Sequence, residues 1–322
     1  MNKPKYSVIV PVYNRPNEVR DFLESMMTQT RKDFEIILVE DGSTVTCEEV
    51  VQEYAGKLPI RYYSKPNSGP GPTRNFGFAH GLGEYFVVFD SDCVLPPAYF
   101  ESVDQAMKTD PLDAWGGPDV AHERFSVAQR AMAYSMSSIL TTGGIRGGKK
   151  RIGWFQPRSF NMGISKKVFE VTEGFRFDRY AEDIELSIRM KKAGFRIGLI
   201  SDAFVYHKRR ATFFQFFKQV FNFGKGRALI GKVHPEEVKL THWFPALFTI
   251  GTLALPLLLL ARGYLFHIVL ALYVIYLTAI FFHSLLVTRH LGIAFLSVVS
   301  AVLQLWGYGL GFLAEKFRQK KV

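Results

Sequence analysis

The sequence predicts an α/β domain followed by an α-helical membrane domain. Two observations carry that reading. In the first part, short apolar runs alternate with helix patterns, as βαβ units do. From Trp243 to Leu313, by contrast, the only formal charges are Arg262 and Arg289. The expected division is 1–235 for the soluble domain and 236–322 for the membrane domain, which suits the two domains that 322 residues suggest.

The first strand is the buried run Tyr6 to Pro11, ended by the turn signal Tyr13-Asn14-Arg15-Pro16, with Asn17 placed to cap a helix reaching about Thr28. Phe34 to Val39, Ile60 to Tyr63 and Tyr85 to Phe89 read as three further strands, and Pro72 to Gly81 as a helix. Continuous apolar runs are the mark of parallel strands buried on both faces. In such open sheets the ligand site lies beyond the carboxyl ends of the strands. Asp41 and the pair Asp90/Asp92 fall there.

Three stretches of the tail, 243–261, 265–287 and 291–313, approach or exceed the ~20 residues that cross a bilayer as a helix. Short turns, Arg262-Gly263-Tyr264 and Thr288-Arg289-His290, separate them. Three full spans would carry the C-terminus to the far side, whereas Lys316, Arg318, Lys320 and Lys321 favour the cytosolic side. Pro245 and Pro256 single out the first stretch for re-entry, so two or three spans remain open. Met1 to Lys5 leads straight into a strand pattern without a signal peptide, which predicts a protein of the cell (inner) membrane with its first domain cytosolic.

Residues 212–223 (TFFQFFKQVFNF) place six phenylalanines and Val220 on about half of a helical wheel between basic clusters, the pattern of a helix lying at a lipid interface, though a soluble amphipathic helix looks similar. Thr141 to Gly153, rich in glycine and basic residues, reads either as a solvated linker or as a lid over a phosphate-bearing ligand.

Composition narrows the function. A hydrophobic share of 48% excludes a disordered chain. Cys47 and Cys93 can build neither a disulfide framework nor a zinc site. The net charge of +11 admits phosphorylated substrates, anionic lipid or nucleic acid. The basic residues gather near the membrane and the glycine-rich loop, which sets nucleic acid aside.

Asp90-Ser91-Asp92 puts two carboxylates directly after a strand, where hard cations such as Mg²⁺ or Mn²⁺ bridge protein oxygens to phosphate. Surface turns also carry paired aspartates, and it is the strand end and nearby Asp41 that strengthen the signal. Glu182, Asp183 and Glu185 suit the acidic first turn of a helix, whatever else they do. A dinucleotide-binding loop is excluded, because Arg74 stands where Gly69-Pro70-Gly71 would need its third glycine.

Together these segments resemble the inverting family 2 nucleotide-sugar glycosyltransferases of GT-A fold. The landmarks are Ser7 to Asn14, Val39 to Ser43 (with Glu40 where an aspartate is usual), Gly69 to Gly77, Asp90 to Asp92, Phe160 to Ile164 with Gly174-Phe175, and Ala181 to Leu186. The resemblance implies a nucleotide-diphosphate sugar donor bordered by Pro11, Tyr13, Asn14, Asp41, Arg74 and Asp90. It implies a Mg²⁺ or Mn²⁺ on Asp90 and Asp92, with His207 either a third ligand or merely structural. Asn161 and Glu182 would lie on the acceptor side, and Asp183 would be the base that deprotonates the acceptor hydroxyl. Glu182 would tune Asp183, since like charges raise a carboxyl pKa.

The function expected is transfer of a sugar to a lipid-linked or saccharide acceptor in polysaccharide or glycolipid biosynthesis, with membrane lipids as partners. A processive synthase usually carries Q-x-x-R-W, which does not occur in this sequence. An inactive nucleotide-binding scaffold is opposed by the intact Asp90, Asp92 and Asp183.

Overall fold

The computed structural model describes residues 3–120, 126–142, 154–207, 212–261 and 263–318; the side chain of His207 is not described. Two compact units form. One is Met1–His122 with Phe155–Lys208, and the other is Glu123–Trp154 with Arg209–Val322.

The first unit begins β1 (Tyr6–Val12), α1 (Pro16–Met27), β2 (Phe34–Asp41), α2 (Glu48–Tyr54), β3 (Ile60–Lys65), α3 (Pro70–His80) and β4 (Tyr85–Phe89). It continues with β5 (Cys93–Val94), α4 (Tyr99–Thr109), β6 (Ala114–Gly116) and β7 (Asp119–Val120). In the second unit lie α5 (Val127–Ser137) and α6 (Ile139–Thr142). The chain then returns to the first as β8 (Asn161–Ser165), α7 (Lys166–Thr172), α8 (Glu182–Lys192), β9 (Ile197–Leu199) and β10 (Val205–His207). The helices α9 (Phe213–Val233), α10 (Phe244–Leu260), α11 (Tyr264–Thr288) and α12 (Leu291–Lys316) complete the second.

The main sheet has the order β3-β2-β1-β4-β8-β6-β9. Alternation along β1 sends Val8 and Val10 into one apolar core, with Phe22 of α1 and Phe100 of α4. Ile9 enters the other, with Phe78 of α3 and Leu186 of α8. Both faces are therefore covered, as the continuous apolar runs demand. The expectation of parallel pairing holds for β3, β2, β1 and β4. The sheet reverses at β8, a strand the apolar pattern does not reveal, which runs antiparallel to β4 and to β6. That reversal pairs Phe89, the last residue of β4, with Asn161, the first of β8. Residues 158–160 consequently arrive at the end of β4 from which Asp90 departs. A small second sheet, β5-β10-β7, pairs Cys93 with His207.

Asn17 is not the cap of α1. Pro16 occupies the first helical turn and Arg15 the cap position, without a side-chain capping bond. A proline ring suits that place because its missing N–H has no intrahelical acceptor there.

In the second unit the predicted interfacial stretch is the start of a longer helix, capped by Thr212 and continuing ten residues past Phe223. Its buried residues include Phe216 and Val220, which pack with Met132 of α5, while Phe214 is 77% exposed. Glycines let α9 and α12 approach closely: a Cβ on Gly311 would stand 2.0 Å from the Phe221 carbonyl oxygen. The helices ending the chain include three long and apolar enough to cross a membrane, Leu240–Leu260, Tyr264–Thr288 and Leu291–Lys316. Residues 143–153, the greater part of the basic loop, lie outside the described residues.

Candidate active site

Three loops leave the carboxyl ends of β1, β2 and β4 side by side, because those strands are parallel and in register. Asn14, held at a φ of 54° in the left-handed region, ties the first loop to the second. Its Oδ1 accepts the amides of Thr44 at 2.8 Å and Val45 at 2.9 Å, and its own amide donates to Ser43 Oγ at 2.9 Å. Glu40 is wholly buried and braces the same loop, accepting the Cys47 amide at 2.7 Å and the Ser43 hydroxyl. Beside these, Pro11 is half-buried and Tyr13 exposed.

Asp41 accepts from Lys65 Nζ at 2.5 Å and from the amides of Ser68 at 2.8 Å and Gly69 at 2.9 Å. Burial pushes this carboxyl up, but the lysine and the converging donors outweigh it, and the net shift is downward. Gly69 takes a φ of +93°, and a Cβ on Gly71 would meet the Phe177 carbonyl oxygen at 2.1 Å. Only residues without a side chain allow the start of α3 to lie against residues 177–178.

Arg74 is the hub. It is 3% exposed, donates from Nη1 to Glu182 Oε1 and from Nη2 to Asp90 Oδ1, both at 2.8 Å, and leaves its Nε buried without a partner. It thereby joins the strand-end aspartate to the first turn of α8. Asp90 keeps a half-exposed side chain. Asp92, more deeply set, is held by Arg15 Nη1 at 2.6 Å.

Helix α8 starts from Ala181, whose φ of 55° is one that L residues adopt at a cost of about 1–2 kcal/mol. Glu182 is buried and also accepts from Ser159 Oγ at 3.3 Å. Its carboxyl is pushed up to about 7, foremost by burial; Arg74 opposes the shift and the neighbouring Asp183 charge adds to it. Asp183 is half-buried, with Oδ1 accepting the Ile184 amide at 2.8 Å and Oδ2 lying 3.6 Å from Arg158 Nη1. Glu185 is fully buried and bound to Arg189, which also donates to the carbonyls of Thr172 and Gly174.

The fold thus gathers Asp90, Arg74, Glu182 and Asp183 into one chain of neighbours, with Asp92 next to Asp90 across one small residue. Asn161 stands apart. It is completely buried, accepts from Tyr99 Oη at 2.6 Å and donates to the Ala203 carbonyl at 2.8 Å. His207 comes near by strand register alone, opposite Cys93, the residue after Asp92. Arg15, Lys65 and Arg158 are site residues that the sequence reading passed over.

No three metal-binding side chains converge among the described residues. A divalent cation on a phosphate substrate needs only one or two protein carboxylates, the rest of its shell being phosphate and water. Asp90 and Asp92 are such a pair; Arg74 already binds the first and Arg15 the second, so a cation would share these carboxylates with guanidinium groups. The donor set fits Mg²⁺ or Mn²⁺.

The profile of glycosyl transferase family 2 matches residues 7–221, more than half of the chain. The chain belongs to this family. Its relatives include an uncharacterized glycosyltransferase of Rickettsia felis, 41% identical over 92 residues, which are 29% of this chain and 15% of that protein. YibD of Escherichia coli, another uncharacterized glycosyltransferase, is 36% identical over 34% of this chain and 32% of its own length. The matched part is therefore a third or less of these relatives.

Among solved structures, Staphylococcus aureus TarS 1–349 in complex with UDP-GlcNAc has a TM-score of 0.51 at 22% identity, covering 70% of this chain and 65% of that one. The mannosyltransferase PcManGT of Pyrobaculum calidifontis, in complex with GDP-Man and Mn²⁺, has a TM-score of 0.58 at 18% identity, covering 95% and 88%. These likenesses show the GT-A type of fold, an α/β sheet core followed by a helical region.

Proposed function

We propose that this family 2 enzyme is a membrane-bound glycosyltransferase. It moves a sugar with inversion from a nucleotide-diphosphate donor to a lipid-linked or saccharide acceptor, in polysaccharide or glycolipid biosynthesis. Its catalytic part faces the cytosol at the cell membrane. The observation that carries the reading is the buried Arg74, which fixes Asp90 at one end and the Glu182–Asp183 turn at the other. Donor and acceptor machinery are thus held in one rigid relation. The UDP-GlcNAc and GDP-Man complexes of similar fold support a nucleotide-sugar donor.

Pro11, Tyr13 and Asn14 border the nucleotide, and Asp41 receives the base, its negative charge secured by Lys65. Arg74 and Asp90 hold the donor. Asp90, Asp92 and, by register, His207 would hold Mg²⁺ or Mn²⁺, whose chemistry when bound is to neutralise the departing diphosphate. Asp183 takes the proton of the acceptor hydroxyl while that oxygen forms its bond to the anomeric carbon. The bond to the diphosphate oxygen breaks on the opposite face, the electron pair leaves with the nucleoside diphosphate, and the configuration inverts. Glu182 and Asn161 support the acceptor side from within, the first through Arg74 and the second by fixing the start of β8.

The test is a donor screen on membranes containing the full chain, with a panel of nucleotide sugars, with and without divalent cation. Cation-dependent turnover of one donor is expected. Failure of folded protein to turn over or bind any nucleotide sugar would overturn the proposal.

A further inference from the structure

The three long apolar helices are not alike. In α11 only 6% of the most apolar stretch is buried, whereas in α12 it is 44%. The exposed part of α12 is one narrow stripe, marked by Leu291, Phe295, Val299 and Leu310. Its enclosed faces carry Ser297, Ser300, Gln304 and Glu315 besides Gly307, Gly309 and Gly311.

The contacts also change partner along α12. Phe295 packs on Phe281 of α11, and Ser297 is bonded to Ser284 at 2.8 Å. Further on, the Leu305 carbonyl accepts from Thr249 of α10, and Phe312 meets Trp243. Since α10 and α11 pair through Phe244 with Tyr276 and Phe248 with Tyr273, these contacts gather at the open end of an α10–α11 hairpin. Toward its tip, Leu253, Leu257, Leu260, Leu265, Ile268 and Leu272 are exposed. Helix α12 therefore passes from one leg of the hairpin to the other across its base.

The companions of α12 decide its depth. Its second half runs beside α9, from Val220 against Gly307 to Lys232 bonded to Glu315 at 2.9 Å. Helix α9 carries Lys218, Lys225, Arg227 and Lys232, spread over about 21 Å of helix. Its first half runs beside α5, with Val127 near Gly292 and Tyr134 against Ala301, and Arg130 exposed. Cations at the centre of a bilayer cost roughly 2.5–3.5 kcal/mol each, so α9 with its four stays at headgroup level, and the single Arg130 of α5 favours the same depth.

Resting on the membrane reading proposed above, we infer that α12 does not cross the bilayer. It lies among the phospholipid headgroups with α5 and α9, its apolar stripe toward the acyl chains. The α10–α11 hairpin alone enters the hydrocarbon, and the chain returns to the side it left. Lys316 and Arg318 then meet lipid phosphate on the cytosolic face, which removes the conflict between three spans and a basic C-terminal end.

The test places single cysteines at the two ends of α12, Leu291→Cys and Ala314→Cys, both exposed positions, in the full chain. Native Cys47 and Cys93 are buried and stay silent. Intact cells are treated with a membrane-impermeant maleimide, before and after permeabilisation. Both positions are expected to escape labelling in intact cells and to label once the membrane is opened. Labelling of one end from outside and the other only after opening would show a crossing helix and overturn the inference. Alkaline carbonate extraction of the same cells reports on the membrane reading separately: release of the chain into the soluble fraction would overturn that reading and the inference with it.

Discussion

Arg74 and Glu182 meet at 2.8 Å inside the protein although 108 residues separate them in sequence. The same guanidinium holds Asp90. Removing one partner of a buried ion pair leaves the other charge uncompensated, at a cost of about 3–5 kcal/mol.

Arg74→Met should therefore destabilise the catalytic unit by about that amount and strip Asp90 and Glu182 of their common counter-charge. Because Arg74 opposes the upward shift at Glu182, that carboxyl should titrate higher still. Denaturant unfolding, compared with Arg74→Lys, checks the first; the pH dependence of stability checks the second. Wild-type stability of Arg74→Met would contradict the hub role.

Glu182 also gives stability a sign with pH. Its carboxyl titrates near 4.5 in the unfolded chain and about 7 in the folded one, so between those values the folded state binds the extra proton. Stability should fall as pH rises from about 4.5 to about 7 and then level off, as far as this group is concerned. Glu182→Gln, which stays neutral throughout, should lose that slope. Thermal unfolding of both proteins across the window decides it.

Asp183→Asn keeps the shape and the bond from the Ile184 amide but cannot accept a proton near neutrality. Loss of a general base lowers turnover by about 10² to 10⁴, with nucleoside-diphosphate affinity little changed. Glu185→Gln should lose stability without that selective kinetic loss, because Glu185 serves Arg189 within the core. Normal turnover of Asp183→Asn would remove it as the base.

Asp92→Ala should abolish transfer and weaken cation-dependent binding of a nucleoside diphosphate. It should leave the fold intact, since Arg15, its partner, is partly exposed and can be hydrated. Isothermal titration with UDP or GDP, with and without Mn²⁺, measures this; unchanged binding would count against the cation site.

Gly71→Ala would place a methyl 2.1 Å from the Phe177 carbonyl oxygen. Overpacking of this kind costs about 1–3 kcal/mol. Moving the start of α3 should also loosen the Gly69 amide from Asp41 and weaken nucleotide binding. Stability and affinity measured together should fall together.

The strands β1, β2 and β4 were legible because they are apolar without interruption, and their ends located Asp41, Asp90 and Asp92. The strands β6, β8 and β9 are only three to five residues long and hold Gly or Asn, which hides them from a pattern search. The antiparallel turn of the sheet at β8 is hidden with them. Arg15 and Arg158 were invisible as site residues, because an arginine in a turn carries no sign of a carboxylate many residues away. Helix α5 did carry a signal that went unread: Ser126-x-x-Gln129 is a capping box, and both of its bonds form. The upward shift of Glu182 depends on burial, which neighbouring letters do not reveal.

The first unit is discontinuous, and this bears on how it can be excised. A fragment cut simply after Lys208 would still carry α5 while discarding α9, α11 and α12. Met132 and Tyr134, buried among those helices, would then face water and invite aggregation. A fragment holding the first unit alone needs residues 123–154 replaced by a linker as well as the C-terminal cut. It must also run through His207, since stopping before Val205 would deprive β5 and β7 of the strand that joins them.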